Sequence, residues 1–339
     1  MAATYKDIRR VTGLSLATIS KFYNGGNVLE ANRDLIERAA ADLGFQINPV
    51  ARGLRSRRSM TVGVVLDRLS SSFNATIVSC LEERLREAGY GTIICDSRDD
   101  AETQADAVRF LVGKMVDGIV IVPVGDDSSY CAHARSRDVP IVTVDRVVPG
   151  VDSVMVDNGG AIGAAVDLLL DAGHTEIGLL AGPDATYPMR ERRTTFRDAI
   201  QSRTGLLPRA ELVAPEEASV EGGYAGLSRQ LDFSAPPTAI VCAGYELTLG
   251  ATIAMYESCR DTDPPALIGF DNGALARLMR PRPTYLDQPI AELAQHAADL
   301  LLQRVTGDPT AEPVSVTLES ALVVGHESTY ALKPREQVR

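Results

Sequence analysis

From Met60 onward the chain repeats one pattern, a short uncharged apolar run followed by a longer segment with apolar residues at helical spacing. The run at 62–66 reads as a buried strand, and the runs at 92–95, 118–122 and 141–144 as the strands that follow it. Between them, 73–89, 102–112 and 128–137 read as helices, the first with Ile77, Leu81 and Leu85 on one side. Such alternation leaves few architectures, because strands buried on both faces need helices on both sides of an open parallel sheet. A second series starts after Val156, with helices expected at 158–172, 189–201, 220–231 and 246–258. Its strands are expected at 177–181, near Leu212, at 239–242, at 266–270 and near Tyr285. A helix at 290–305 and a strand at 314–318 follow. Two such lobes in tandem predict a bilobed binder, with ligand between the lobes at the carboxyl ends of the strands.

The first sixty residues follow a different rule. Thr4 can cap a short helix carrying Ile8 and Val11, and Thr12-Gly13 makes a turn. Ser15 can cap a second helix to about Tyr23, with Ile19 and Phe22 inward, stopped by Asn24-Gly25-Gly26. A third helix is expected from about 30 to 43, with Leu35, Ile36, Ala39 and Leu43 at helical spacing. Two short helices around a Gly-containing turn, plus a third, are the helix-turn-helix arrangement, whose second helix lies in the DNA major groove. The whole chain carries a formal charge of −11. Residues 1–60, however, hold ten Lys/Arg against five Asp/Glu. A basic head on an acidic body fits a DNA-reading domain attached to a module that does not touch DNA.

Several pieces of the head resemble the lactose-repressor (LacI/GalR) family. They are Tyr5-Lys6-Asp7-Ile8, Gly13-Leu14-Ser15, Ala17-Thr18-Ile19-Ser20-Lys21, Asn24-Gly25, Leu43-Gly44-Phe45 and Asn48-Pro49-Val50-Ala51-Arg52-Gly53-Leu54. The resemblance continues to about Thr329. It implies an N-terminal all-α helix-turn-helix DNA-binding domain (1–47) and a hinge helix or linker (48–59). It also implies an α/β periplasmic-binding-protein-like bilobed core (60–331) and a polar tail (332–339). The first lobe would span about 60–157 and 289–317, the second about 158–288 and 318–331, with crossings near 157, 288 and 318.

Leu16, Ala17 and Lys21 match positions that face base edges in the relatives. Leu16 and Ala17 suit a thymine methyl, and Lys21 suits guanine O6/N7. Thr18, Ser20, Asn24 and Asn27 are better placed for phosphates, which set register without reading sequence. In the linker, Asn48 and Pro49 announce a short arginine-bearing helix, with Ala51, Arg52, Leu54 and Arg55 expected at the DNA minor groove. A helix this short is unstable alone, and the matching leucine wedges into a base step in the family, the role expected of Leu54. The partners implied are a palindromic double-stranded operator, a second copy of the chain and a small effector. The seven residues after Leu332 are too short for a tetramerising heptad helix, so a homodimer is expected.

For the effector, candidates are polar residues at strand ends or opening helices, on the side where the lobes face each other. The loop after the first strand offers Ser71, Ser72 and Phe73; relatives commonly read Asn-Pro-Phe-Phe where this chain has Ser71-Ser72-Phe73-Asn74, so the pocket floor is more polar. Asp145, Arg192 and Asp271 match effector contacts in the family, and Tyr245 stands where many relatives have a polar Asn-Asp pair. An arginine between two carboxylates suits a hydroxyl-rich molecule such as a sugar. With no tryptophan in the chain, stacking would fall to Phe73, Tyr187 or Tyr245.

No Walker A, GxGxxG, HExxH or GxSxG motif occurs, and His133, His174, His296 and His326 lie far apart, so neither an enzyme nor a metal or cofactor site is expected. The five cysteines have no CxxC pairing and read as reduced thiols. There is no export signal and no long apolar run, which points to a cytoplasmic chain with no membrane partner. The alternatives are a periplasmic-type sugar-binding protein without gene regulation, which the body alone would suggest, and a sugar-metabolising α/β enzyme.

Overall fold

The structure is a computed structural model and describes residues 3–23, 26–45, 58–125, 128–184, 186–213, 215–259, 264–270, 283–307 and 311–325. The expected linker helix with Ala51, Arg52, Leu54 and Arg55 lies outside these residues, as do Asn24, Asp271 and the tail. The chain divides into two compact units, Met1–Ser59 and Met60–Arg339.

In the first unit, helices α1 (Tyr5–Thr12), α2 (Leu16–Tyr23) and α3 (Glu30–Asp42) are set by local signals. The Thr4 N–H donates to Asp7 Oδ2 at 3.0 Å at the start of α1, and Gly13 closes it in the left-handed region at φ 71°. The Thr18 N–H donates to Ser15 Oγ at 3.1 Å at the start of α2. Ile8, Ile19 and Ile36 are fully buried and meet Ala39. Around them, Tyr5 stacks on Tyr23 with ring centroids 5.3 Å apart, and Phe45 lies against both.

Two residues expected inside are outside: Val11 is 57 % exposed and Leu35 47 %. The inward stripe of α1 runs through Tyr5 and Ile8, and Val11 falls at its margin. Leu35 is one residue from buried Ile36, hence about 100° round the helix. A head this small has room for only one narrow stripe per helix.

The second unit holds two sheets. The first contains β1 (Thr61–Leu66), β2 (Gly91–Asp96), β3 (Gly118–Ile121), β4 (Ile141–Val144), β5 (Asp152–Val156) and β10 (Ser315–Leu318). They lie in the order β10-β5-β4-β3-β1-β2, all parallel. Helices α4 (Ser72–Glu87), α5 (Ala101–Gly113), α6 (Ser129–Arg135) and α11 (Ile290–Thr306) belong to this lobe. Leu81 and Leu85 of α4 and Leu293 and Leu301 of α11 share one core with β1, β3, β4 and β5. Val108 and Leu111 of α5 cover the other face. Gly63 in β1 permits the close approach of α5, since a Cβ there would lie 2.6 Å from Leu111 Cδ1.

The second sheet runs β11-β9-β8-β7-β6. It is built from β6 (Ile177–Leu180), β7 (Ala239–Cys242), β8 (Ala266–Phe270), β9 (Thr284–Asp287) and β11 (Ala321–Val323), and only β11 is antiparallel. Helices α7 (Asn158–Asp171) and α8 (Tyr187–Thr204) pack with it around Phe196 and Phe270. On the other face lie α9 (Val220–Leu231) and α10 (Tyr245–Ser258). These two approach so closely that a Cβ on Gly250 would fall 1.9 Å from the Val220 carbonyl oxygen.

The α/β alternation is as the sequence suggests, with three differences. Strands β5 and β11 were not expected. Near Leu212, where a strand was expected, Ala210–Val213 is a 3-10 turn. Pro208 and Pro215 flank it, and proline has no N–H to give a ladder; among the described residues the pairing here is an isolated bridge from Ala181 to Pro215.

The chain passes between the sheets at 157, 288–289 and 319–320. The Asp157 N–H donates to the Leu318 carbonyl at 2.8 Å, joining the first and third passages.

Candidate functional site

On the head, Ala17, Lys21 and Asn27 are exposed, and Leu16, Thr18 and Ser20 are half-buried. Ile19 alone of α2 is fully buried. The candidate reading face of α2 is therefore on the surface, and Phe22 is backed by the Arg33 guanidinium 5.6 Å above its ring.

In the second unit, a cavity of about 120 Å³ opens between the carboxyl ends of both sheets. Five of the seven candidate effector residues line it: Ser71, Phe73, Asp145, Arg192 and Tyr245. Ser72 does not. It begins α4 on the exposed side, and its backbone N–H donates to Glu246 Oε1 at 2.9 Å. That bond links the lobes, as does Arg68 Nη1 donating to the Ala218 carbonyl at 3.0 Å. Asp271 lies outside the described residues.

Asp145 directly follows β4 with φ 61°, a left-handed conformation in a non-glycine residue, and is only 8 % exposed. Backbone of this kind persists where its surroundings impose it. Here the Asp145 N–H donates to the Val154 carbonyl at 2.9 Å, and Thr143 Oγ1 donates to the Arg146 carbonyl at 2.7 Å.

Arg192, 4 % exposed, is more than a ligand hand. Its Nε donates to Asn158 Oδ1 at 2.7 Å, Nη1 to the Ala243 carbonyl at 2.7 Å and Nη2 to Gln288 Oε1 at 3.0 Å. The guanidinium also lies 4.0 Å over the Phe270 ring. Asn158 and Gln288 stand on the first and second passages between the lobes, so Arg192 ties both to the end of β7. Next to it, burial raises the Glu191 carboxyl above its ordinary pKa, against a smaller lowering by a hydrogen bond with Asn158.

Asp67, Asn74, Glu246 and Gln288 also line the cavity and were not among the candidates, and Tyr187, expected only as a stacking platform, lines it too. Asp67 was findable, because it is a polar residue immediately after a strand, the same signal that marks Asp145. Asn74 Nδ2 donates to Asp67 Oδ1 at 2.5 Å and to the Arg68 carbonyl at 2.7 Å. Burial pushes the Asp67 carboxyl above its ordinary pKa, and the Asn74 hydrogen bond offsets only part of this.

A larger cavity of about 350 Å³ lies at the opposite, amino ends of β4 and β5. Its buried charges are satisfied within the protein. Arg304 donates to both oxygens of Asp152, through Nε at 2.6 Å and Nη2 at 2.8 Å, and Asp152 Oδ1 also takes the Val314 N–H. It therefore has less to offer a ligand than the smaller cleft. Among the described residues no group of His, Cys, Asp and Glu could hold a metal, and no helix is long and apolar enough to cross a membrane.

Residues 59–314 match the family described as periplasmic binding proteins and sugar binding domain of LacI family. The ribose operon repressor of Haemophilus influenzae is 28 % identical over 336 residues, 98 % of this chain and 100 % of the relative. A solved complex of the transcriptional regulator CelR with cellobiose is 26 % identical with a TM-score of 0.71, covering 96 % of this chain and 99 % of that one. The lac repressor dimer bound to operator and the anti-inducer ONPF shares the fold, with a TM-score of 0.84 at 24 % identity, over 97 % and 99 % of the two chains. A folded helix-turn-helix head, a two-sheet core with its cavity at the strand ends, and a family match over most of the chain lead to one assignment: the chain belongs to the LacI family of transcriptional regulators.

Proposed function

We propose that this chain is a cytoplasmic repressor that binds a palindromic operator as a homodimer and releases or tightens its grip when a small, hydroxyl-rich effector occupies the cleft. The observation that carries the reading is the cavity between the strand ends, lined from both lobes by carboxylates, an arginine and aromatic rings. A ligand touching both walls has different affinities for open and closed arrangements, which is the condition for it to move operator affinity. On DNA, Leu16, Ala17 and Lys21 read base edges, and Thr18, Ser20, Asn24 and Asn27 hold phosphates. Residues 48–59, with Ala51, Arg52, Leu54 and Arg55, serve the minor groove. In the cleft, Asp145, Arg192, Ser71, Phe73, Tyr245 and Asp271 hold the effector.

Selection from a randomised duplex pool at physiological salt, followed by fluorescence anisotropy, tests this directly. The expected result is a palindromic site bound at least about a thousandfold more tightly than random competitor. Leu54→Ala should weaken that binding by more than about 1 kcal/mol and leave effector binding unchanged. Equal affinity for selected and random duplexes, with and without a panel of sugars, would overturn the reading.

A further inference from the structure

The cleft wall on the first lobe carries a polar pair in place of the apolar ring the family commonly has there. Asn74 stands at the last position of the loop where relatives commonly read Asn-Pro-Phe-Phe, and Asp67 faces it from the end of β1. Asn74 is 2 % exposed and lines the cavity. The orientation of its amide is fixed by its neighbours. Asp67 Oδ1 and the Arg68 carbonyl are both acceptors, so the nitrogen must face them. That leaves Asn74 Oδ1 buried and without a hydrogen-bond partner among the described residues. A buried oxygen of this kind is unfavourable until a donor reaches it.

Of the arginines around the cavity, Arg146 shares the lining, and two others are engaged with protein groups. Arg68 pairs with Asp99 and donates to the Ala218 carbonyl. Arg192 donates to Asn158, Ala243 and Gln288. Asp67 therefore sits beside an orphaned oxygen and near a second acid, Asp99, which raises its pKa further. Everything this corner lacks is a donor, and a charged donor would answer the carboxylate as well.

We propose that Asp67 and Asn74 form a specificity subsite that accepts hydrogen bonds from an ammonium group, so that the effector is a hydroxyl-rich amine of the amino-sugar class. This rests on the cleft reading above. One N–H of the ammonium donates to the Asp67 carboxylate and a second to Asn74 Oδ1. Charge-assisted bonds of this kind are about twice as strong as neutral ones. A neutral hydroxyl in the same place donates to one acceptor and brings no charge to balance the carboxylate, and a sugar acid meets repulsion.

The test uses the full chain and matched probes: D-glucosamine, D-galactosamine and D-mannosamine, the three parent hexoses, and the corresponding uronic acids. Thermal shift ranks them and calorimetry measures Kd. At least one amino sugar should bind about tenfold or more tightly than its parent hexose, and Asp67→Asn, near-isosteric, should bring the pair within about threefold. The wild-type ratio stands as evidence even if the variant misfolds. A parent hexose or uronic acid that binds as well as its amine overturns the subsite but leaves the cleft reading intact. So does an Asp67→Asn chain that keeps the full preference. Stabilisation by none of the nine probes overturns the subsite and also counts against a sugar-binding cleft.

Discussion

On the first lobe the cavity wall carries Asp67, Asn74 and Asp145, short acceptors at the ends of β1 and β4 and in the first turn of α4, set among Phe73, Val122, Val144 and Arg146. On the second lobe it carries Tyr187, Met189 and Tyr245, broad side chains, with Arg192 behind them and the Glu246 carboxylate beside them. One wall reads hydrogen-bond donors and the other covers a flat face. A pyranose has both surfaces, polar at its edge and apolar on its C–H face, and satisfies both walls only when the lobes close on it. Neither lobe holds a complete site. In the proposed function, that incompleteness makes effector binding depend on the arrangement of the lobes, and the Arg68–Ala218 and Ser72–Glu246 bonds show the lobes already touching across the cleft.

Arg192→Ala is the largest test of this division. It strips donors from Asn158 Oδ1, the Ala243 carbonyl and Gln288 Oε1, and uncovers the Phe270 ring. We expect a loss of about 3 kcal/mol or more in urea denaturation and loss of the effector response, with operator binding retained. Arg192→Lys keeps the charge but not the planar fork, and should recover less than half. Unchanged stability in the alanine variant would mean that the passages between the lobes are held by something else.

Asp145 gives the next effect, with a sign that depends on the replacement. Glycine accepts φ 61° without cost, so Asp145→Gly should gain about 1 kcal/mol, whereas Asp145→Ala should lose about as much. Both should abolish the effector's thermal shift. If the two variants had equal stability, the backbone at this wall would not be under tension. Glu246→Gln comes third. Its amide oxygen can still accept from Ser72, but the negative charge at the start of α4 is gone, a loss of about 0.5 kcal/mol. Small-angle scattering of the ligand-free chain should show a shift toward the open arrangement.

Legibility in the sequence followed the range of the interactions. The head was readable because its signals are local: Ser15 lies three residues from the N–H it caps, and Gly13 ends the helix it follows. The strands of the core were readable where burial on both faces made them continuously apolar. β5 was not, because it opens on Asp152-Ser153 and looks like a loop. Its buried aspartate is explained by Arg304, 152 residues further on, and by the Val314 N–H. The same limit governed the cleft. Asp145 and Arg192 could be placed by family resemblance, but that Arg192 also ties two passages together depends on Asn158 and Gln288, 34 residues before it and 96 after it. Ser72 looked like a lining residue because its neighbours are. Its position on the outer side of α4 follows from where the helix starts, which the loop sequence alone does not fix.

The smallest expected effect is also the one that separates the two walls most cleanly. Burial raises the Asp67 carboxyl above the ordinary aspartate pKa. The folded chain therefore holds that proton at pH values where the unfolded chain has released it, and stability falls as pH rises through the interval between the two. Asp67→Asn removes the charge and keeps an oxygen able to accept from Asn74 and the Arg68 N–H. At neutral pH the variant should be more stable than the parent by less than about 0.5 kcal/mol, measured from urea midpoints. The gain should vanish at acid pH, below the ordinary aspartate range, where both side chains are neutral. No such pH-dependent gain is expected from Tyr187→Phe on the opposite wall, because that substitution removes no carboxylate. A gain that persists at acid pH would trace to packing instead of charge. A loss at neutral pH would mean that the first-lobe wall is held at its energetic optimum without a ligand, and the contrast between a wall awaiting donors and a wall already complete would fail.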